Sequence, residues 1–223
     1  MFAQESLRYS NLVKRELFPE SAFCREAVTV NEAALKEYVV GTALGRVISG
    51  GAGVATAASG NTGNGAFGSI TVTAPAKIGM YRLVITHATT NAGTFMVVDP
   101  DGIPVGTGTV AVAFSKGGLA FTLADGATDF ALGDAFNIAV TGTYEYKIAV
   151  ETATDGSKAV QALVLEAKSI PATTDTKVLV LFRGDAIVSK SAIVLDATYN
   201  TDVEKDVVYA ALEAKRILVS NTI

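Results

Sequence analysis

Tryptophan is absent from this 223-residue chain, and histidine and cysteine occur once each, as His87 and Cys24. One cysteine cannot form an intrachain disulfide, so no disulfide framework holds the fold. Structural zinc draws on about four Cys or His ligands, and two such residues exclude a zinc site within one chain. Nucleophilic catalysis most often uses histidine as its positioned base. A Cys24–His87 pair would have to join the N-terminal segment to a remote strand pattern. An inert small thiol and a surface or interface histidine are the simpler reading. Basic clusters are no denser than Lys14-Arg15 or Lys215-Arg216, on a chain of net charge −4. That is not the basic patch of a nucleic-acid binder. No apolar run approaches the roughly 18 residues of a membrane-spanning helix. The opening MFAQESLRYSNLVKREL has no uninterrupted apolar core of a secretory signal. The chain is therefore expected to be made and folded in a cytoplasm, without membrane or nucleic-acid partners. The lack of Trp, with few large aromatics near acidic residues, weighs against a sugar-cleaving groove. No catalytic residue is nominated, and the chain reads as a non-enzyme.

What the chain has is apolar content, 49% of residues against 18% charged. That composition excludes general disorder, which goes with low hydrophobicity and high net charge. Ala, Val, Thr and Gly dominate and favour strands with tight turns over long helices. From about residue 66 to 141 alternation is regular. Tyr81, Leu83 and Ile85 share one side of a strand, as do Phe95 and Val97, then Val110, Val112 and Phe114. Leu119, Phe121 and Leu123 follow, then Phe136, Ile138 and Val140. Every second side chain of a strand points to the same sheet face. Turn chemistry separates these runs at Asp99-Pro100-Asp101-Gly102, Ser115-Lys116-Gly117-Gly118 and Gly133-Asp134. The spacing predicts an antiparallel, immunoglobulin-like sandwich.

The flanks have another texture. Residues 1–30 are mixed and charged without a clean period, and read as a loose arm. Asn31–Tyr38 reads as a short helical turn. Residues 49–65, SGGAGVATAASGNTGNG, read as a flexible linker. Lys147–Val150, Gln161–Ala167, Lys177–Phe182 and Ile217–Val219 are strand-like. Thr201-Asp202-Val203-Glu204 matches a capping box, with Val203, Val207, Val208, Ala211 and Leu212 along one helical face. A helix over about 202–215 follows. The division is a 1–30 arm, a host domain of 31–48 and 147–223, and an inserted sandwich of 49–146.

Several motifs carry both a chemical and a structural reading. Asp99 and Asp101, with Asp125, Asp129 and Asp134 later, offer carboxylates but lack the spacing of a calcium loop, and a hairpin turn explains the first pair. Gly60–Gly65 lacks the Lys-Ser/Thr of a phosphate loop. Arg183-Gly184-Asp185 spells an adhesion tripeptide, but three residues are weak evidence and Gly184 sits where a hairpin turn falls after Phe182, so a turn is the reading. No metal or cofactor is expected.

The host segments resemble the head-decoration proteins of tailed phages, the family of the phage lambda decoration protein. The residues carrying the resemblance are Thr154-Asp155-Gly156-Ser157-Lys158-Ala159-Val160 with Ala162–Leu165, and Lys177–Phe182 with Arg183–Val188. A closing helix and short strand complete it. The resemblance implies a mainly β fold with one C-terminal helix. In it a small β-barrel or β-tulip decoration domain is interrupted by the immunoglobulin-like antiparallel sandwich. It implies a homotrimer on the outer surface of the virion, at three-fold and quasi-three-fold positions, that stabilises the mature shell. Its partner would be the major capsid protein, held through arm residues Phe2, Leu7, Tyr9, Leu12, Leu17 and Phe18. Thr154, Asp155 and Gly156 would be the family motif. A phage surface or tail protein binding host-cell glycans through the insert is the alternative.

Overall fold

A computed structural model describes residues 8–221. A one-turn helix α1 (Tyr9–Leu12) is followed by β1 (Val13–Glu16), β2 (Arg25–Val30), β3 (Lys36–Tyr38) and the long β4 (Ala43–Ala57). Next come β5 (Ile70–Val72), β6 (Gly79–Thr89), β7 (Ala92–Val98), β8 (Pro104–Thr109), β9 (Ala113–Lys116) and β10 (Leu119–Thr122). A second long strand, β11 (Ala135–Ile148), leads to β12 (Val160–Val164), β13 (Lys168–Ile170), β14 (Thr176–Leu181) and β15 (Ala186–Ser189). Helix α2 (Asp202–Glu213) and β16 (Ile217–Ser220) close the chain. The fold is mainly β with one substantial helix near the C-terminus. The chain forms two compact units, one reaching to Val47 and resuming at Tyr144, the other Ile48–Thr143.

In the first unit, β2, β14, β12 and β4 lie side by side, all antiparallel. This sheet is buried on both faces. Leu163 and Leu181 join one cluster with Leu12, Val188, Leu212 and Ile217. Ala162, Val164, Val178 and Val180 join another with Val28, Val30 and Tyr38. Two buried faces explain why Ala162-Leu163-Val164 reads as a continuous apolar run without alternation. A three-stranded sheet β1-β15-β16 and a small β13-β3 pair complete the unit. Strand β4 passes so close to the 154–159 turn that a Cβ on Gly45 would meet the Ser157 carbonyl oxygen at 1.8 Å.

The N-terminal segment differs from the loose arm expected of it. Within it β1 pairs with β15, Leu12 and Val30 are fully buried, and β2 holds a full antiparallel register with β14. A half-buried ion pair fixes it. The Glu16 carboxylate accepts from the Arg25 guanidinium at 2.6 Å and from the Tyr9 hydroxyl at 2.5 Å. Arg25 also stacks 5.0 Å from the Tyr9 ring centroid. Asn31–Tyr38 forms no helical turn; Glu32 bridges to Ala172 and β3 pairs with β13. The buried Glu32 carboxylate accepts from the Tyr38 hydroxyl at 2.6 Å and from the Ile148 N–H at 2.8 Å.

In the second unit, β8, β7, β6 and β11 form one antiparallel run and β4, β5, β10 and β9 another. The alternation read from sequence sets the buried face. Tyr81, Leu83, Ile85, Phe95, Val97, Phe136, Ile138 and Val140 all enter one core. Phe114 and Phe121 stack at 4.8 Å, and Phe67 lies 5.0 Å from Phe121 and 5.1 Å from Phe136, within the range of favourable ring contacts. Val112 leaves the pattern: it is 55% exposed, because the chain turns at Ala111 with a φ of 62°. The stretch read as a linker is not one over its first half. Residues 49–57 continue β4, with Ala52 opposite Thr71 and Gly53 opposite Ile70.

Helix α2 starts on a complete capping box. The Thr201 hydroxyl accepts from the Glu204 N–H and the Glu204 carboxylate accepts from the Thr201 N–H. Val208 and Leu212 face the core, whereas Val203 and Val207 are exposed, so the buried stripe is narrower than the apolar one. Thr201→Ala should lower stability by about 1 kcal/mol, and Leu163→Ala by roughly 2–5 kcal/mol. Chemical denaturation followed by far-UV dichroism checks both; equal effects at the two sites would contradict this account of the core.

Candidate functional site

Most carboxylates in irregular segments are engaged by main-chain donors. Asp134 is nearly buried, and its two oxygens accept from the N–H groups of Thr62, Gly63 and Ala131 at 2.8 to 3.0 Å. Burial pushes its carboxyl up, but these three donors hold it below the ordinary carboxylate value. Lys77 binds both Asp99, at 2.5 Å, and Asp101, at 2.6 Å. Asp99 also accepts from the N–H groups of Asp101 and Ile103. The Asp-Pro-Asp-Gly turn is thus closed by its own backbone and a lysine. Asp129 accepts from the Asn91 N–H. Among the described residues no three Asp, Glu, His or Cys side chains converge as a metal-binding group.

The residues nominated by sequence are placed as follows. Cys24 is buried, with its sulfur 3.7 Å from the Leu17 carbonyl oxygen. Burial and the nearby Glu16 push the thiol up. His87 is exposed on β6, beside a bulge. Phe2 and Leu7 lie outside the described residues. Tyr9 and Leu12 pack inside the first unit, Tyr9 with its phenol pushed up to about 12 by burial and Glu16. Leu17 is half-buried, its N–H donating to the Asp185 carbonyl, and Phe18 is exposed with a φ of 51°. Thr154-Asp155-Gly156 is a surface turn in which Asp155 accepts from the N–H and hydroxyl of Ser157. In Arg183-Gly184-Asp185 both charges are engaged: Arg183 with the Phe23 carbonyl and Glu26, Asp185 with Arg216 at 2.6 Å. The tripeptide is a crossing between two sheets, not a hairpin turn.

One surface of the first unit has a composition of its own. A groove of about 350 Å³ is lined by Glu26–Thr29 of β2, Arg46, Tyr144, Tyr146, Lys177 and Phe182. The Arg46 guanidinium lies 3.9 Å over the Tyr144 ring, and Tyr146 meets Phe182 edge-on at 6.4 Å. The ammonium groups of Lys215 and Lys177 flank it, Lys215 sitting 4.8 Å from the Phe182 ring and Lys177 donating to Thr29. Such contacts are worth ~0.5–2 kcal/mol each, depending on exposure. Burial pushes the Tyr146 phenol up while Arg46 draws it down. Burial and the like charge of Arg46 hold the Lys215 ammonium below its ordinary value. Sequence reading missed this cluster. Its one local signal is Tyr144 and Tyr146, two apart on β11 and so on one face.

No protein-family model and no curated protein matches the sequence. Among solved structures the chain is similar to the FlgL protein of Xanthomonas campestris, at 25% identity and a TM-score of 0.33. That match covers 47% of this chain and 34% of the other. A flagellar junction protein FlgL from Legionella pneumophila matches at 16% identity and a TM-score of 0.34, over 47% of this chain and 38% of that one. The flagellar hook junction protein FlgK of Burkholderia pseudomallei matches at 20% identity and a TM-score of 0.33, over 56% and 21%. This chain spans about a third of the length of the first two. These neighbours belong to flagellar junctions and not to phage capsids. That overturns the resemblance to head-decoration proteins. With it go the capsid-stabilising trimer, the major capsid protein as partner, the glycan-binding phage alternative and the virion location. At these TM-scores the likeness says nothing further about this chain.

Asp134→Ala should destabilise the second unit by about 1–3 kcal/mol at neutral pH, the cost of leaving buried donors unpaired. The folded-state value lies below the unfolded 3.8, so the stabilisation is complete above that value. It is lost as pH falls through the lowered folded-state value. Melting curves of wild type and variant should therefore converge only below pH 3.8; a gap that widens on acidification would contradict the assignment.

Proposed function

We propose that this chain is a non-catalytic structural protein that acts through surface contacts. The observation carrying the reading is the fate of its ionisable groups. The carboxylates of Asp99, Asp134, Asp155 and Glu204 close turns, loops or a helix end. Glu16 and Glu32 sit inside hydrogen-bonded clusters. A general acid or base works best with a proton affinity near the operating pH. The shifts on Glu16, Asp99, Asp134, Asp155 and Glu204 run the other way, below ordinary values. The one thiol is buried and pushed up, opposite to the lowered value of a reactive cysteine.

Two measurements test this. Iodoacetamide should modify Cys24 in the native chain at least about tenfold more slowly than in chain unfolded with guanidinium; equal rates would remove the inert-thiol argument. A panel of esters, phosphoesters, glycosides and peptides should show no turnover above buffer, and reproducible turnover of any one of them would overturn the proposal.

A further inference from the structure

The aromatic groove of the first unit gathers positive charge on a chain with 22 acidic and 18 basic residues. Arg46 and Lys215 come from β4 and from the turn after α2, and both are half-buried. Tyr144 covers one face of the guanidinium and the Tyr146 hydroxyl engages part of its edge, which leaves the remaining N–H groups as donors. Phe182 holds the stem and ammonium of Lys215. Among the described residues neither cation forms an ion pair with a carboxylate. The one acid lining the groove, Glu26, is bridged to Arg183 at 3.4 Å. Arg46 is near enough to Lys215 to lower its proton affinity, and two partly desolvated like charges carry an electrostatic cost that an oxyanion beside them would offset.

We propose that the Arg46–Lys215 corner of this groove binds a carboxylate presented by an acidic segment of a partner protein. Charge complementarity names the group, since a guanidinium edge and an ammonium are the donors that recognise an oxyanion. The walls name the carrier. Tyr146 and Phe182 offer apolar surface to the methylene stem of a glutamate, while exposed Glu26, Ala27 and Lys177 open the groove along β2 to an extended chain. A long polyanion such as nucleic acid fits poorly, because the whole chain is negative and the cations form a spot, not a track. Burial and Arg46 already lower the proton affinity of Lys215, so a bound carboxylate raises it again.

The test uses the full chain and the blocked peptide Ac-Glu-Glu-Glu-Glu-NH2 at low ionic strength, read by the NMR shift of the Lys215 ε-carbon. Saturable shifts centred on Lys215, Arg46, Tyr144 and Tyr146 are expected, with the Lys215 titration midpoint moving upward on binding. Arg46→Gln and Lys215→Gln should each weaken binding about tenfold, while the exposed control Lys116→Gln should leave it unchanged. The ε-carbon readout on unsubstituted protein keeps the test decisive if either variant misfolds. The proposal is overturned by absence of a saturable shift at Lys215, or by equal weakening in Lys116→Gln. It is also overturned if inorganic phosphate at the same concentration reproduces the shift, since the corner would then take free oxyanions and not an acidic segment.

Discussion

Every buried main-chain N–H needs an acceptor, and in this protein side-chain carboxylates supply it at several places where sheet pairing stops. Asp134 receives three such donors from two separate loops. Glu32 joins an N–H of β11 to the hydroxyl of Tyr38. Asp99, Asp155 and Asp196 each close a turn of their own, and Glu204 closes the start of α2. A carboxylate offers about four lone-pair sites and no donor, which suits it to collect N–H groups that strands leave over. These acidic residues therefore help to hold the architecture together.

The two units meet their apolar requirement with different chemistry. The second relies on a cluster of phenyl rings in contact at about 5 to 6 Å. The first packs mainly aliphatic side chains against both faces of one sheet, with Tyr38, Tyr146 and Tyr199 among them, and sets other rings under cations. Arg46 on Tyr144, Arg25 on Tyr9, Lys190 on Tyr209 and Lys215 on Phe182 repeat this arrangement. The rings cover the stems or faces of long cationic side chains, whose amphipathic build permits such contacts.

The legible parts of the fold are those whose information is local. Tyr81, Leu83 and Ile85 declare a strand with one buried side, and Thr201 with Glu204 declares a helix start; both follow from short-range geometry. Where structure depends on distant partners the sequence is silent. The N-terminal segment has no period of its own and is fixed by Glu16 meeting Arg25 across a turn. Asn31–Tyr38 is drawn into strand geometry by β13. The groove is assembled from residues near positions 46, 145, 182 and 215, so no window of the chain contains it. The resemblance to phage decoration proteins rested on element order, which unrelated β folds share.

Strand β4 shows a different economy of information. Over Ser49–Ala57 it consists of Gly, Ala, Ser, Thr and one Val, a composition that specifies register weakly by itself. Its alignment is written in its neighbours: a Cβ on Gly53 would come within 2.5 Å of an Ile70 methyl, and one on Gly51 within 3.1 Å of Val72. The strand thus works as a blank that only one key profile fits. Mutational tolerance at Gly51 and Gly53 should be low despite the featureless sequence around them, and drift that adds bulk at either would have to be matched by shrinkage at Ile70 or Val72, coupling the history of two strands that look independent on paper.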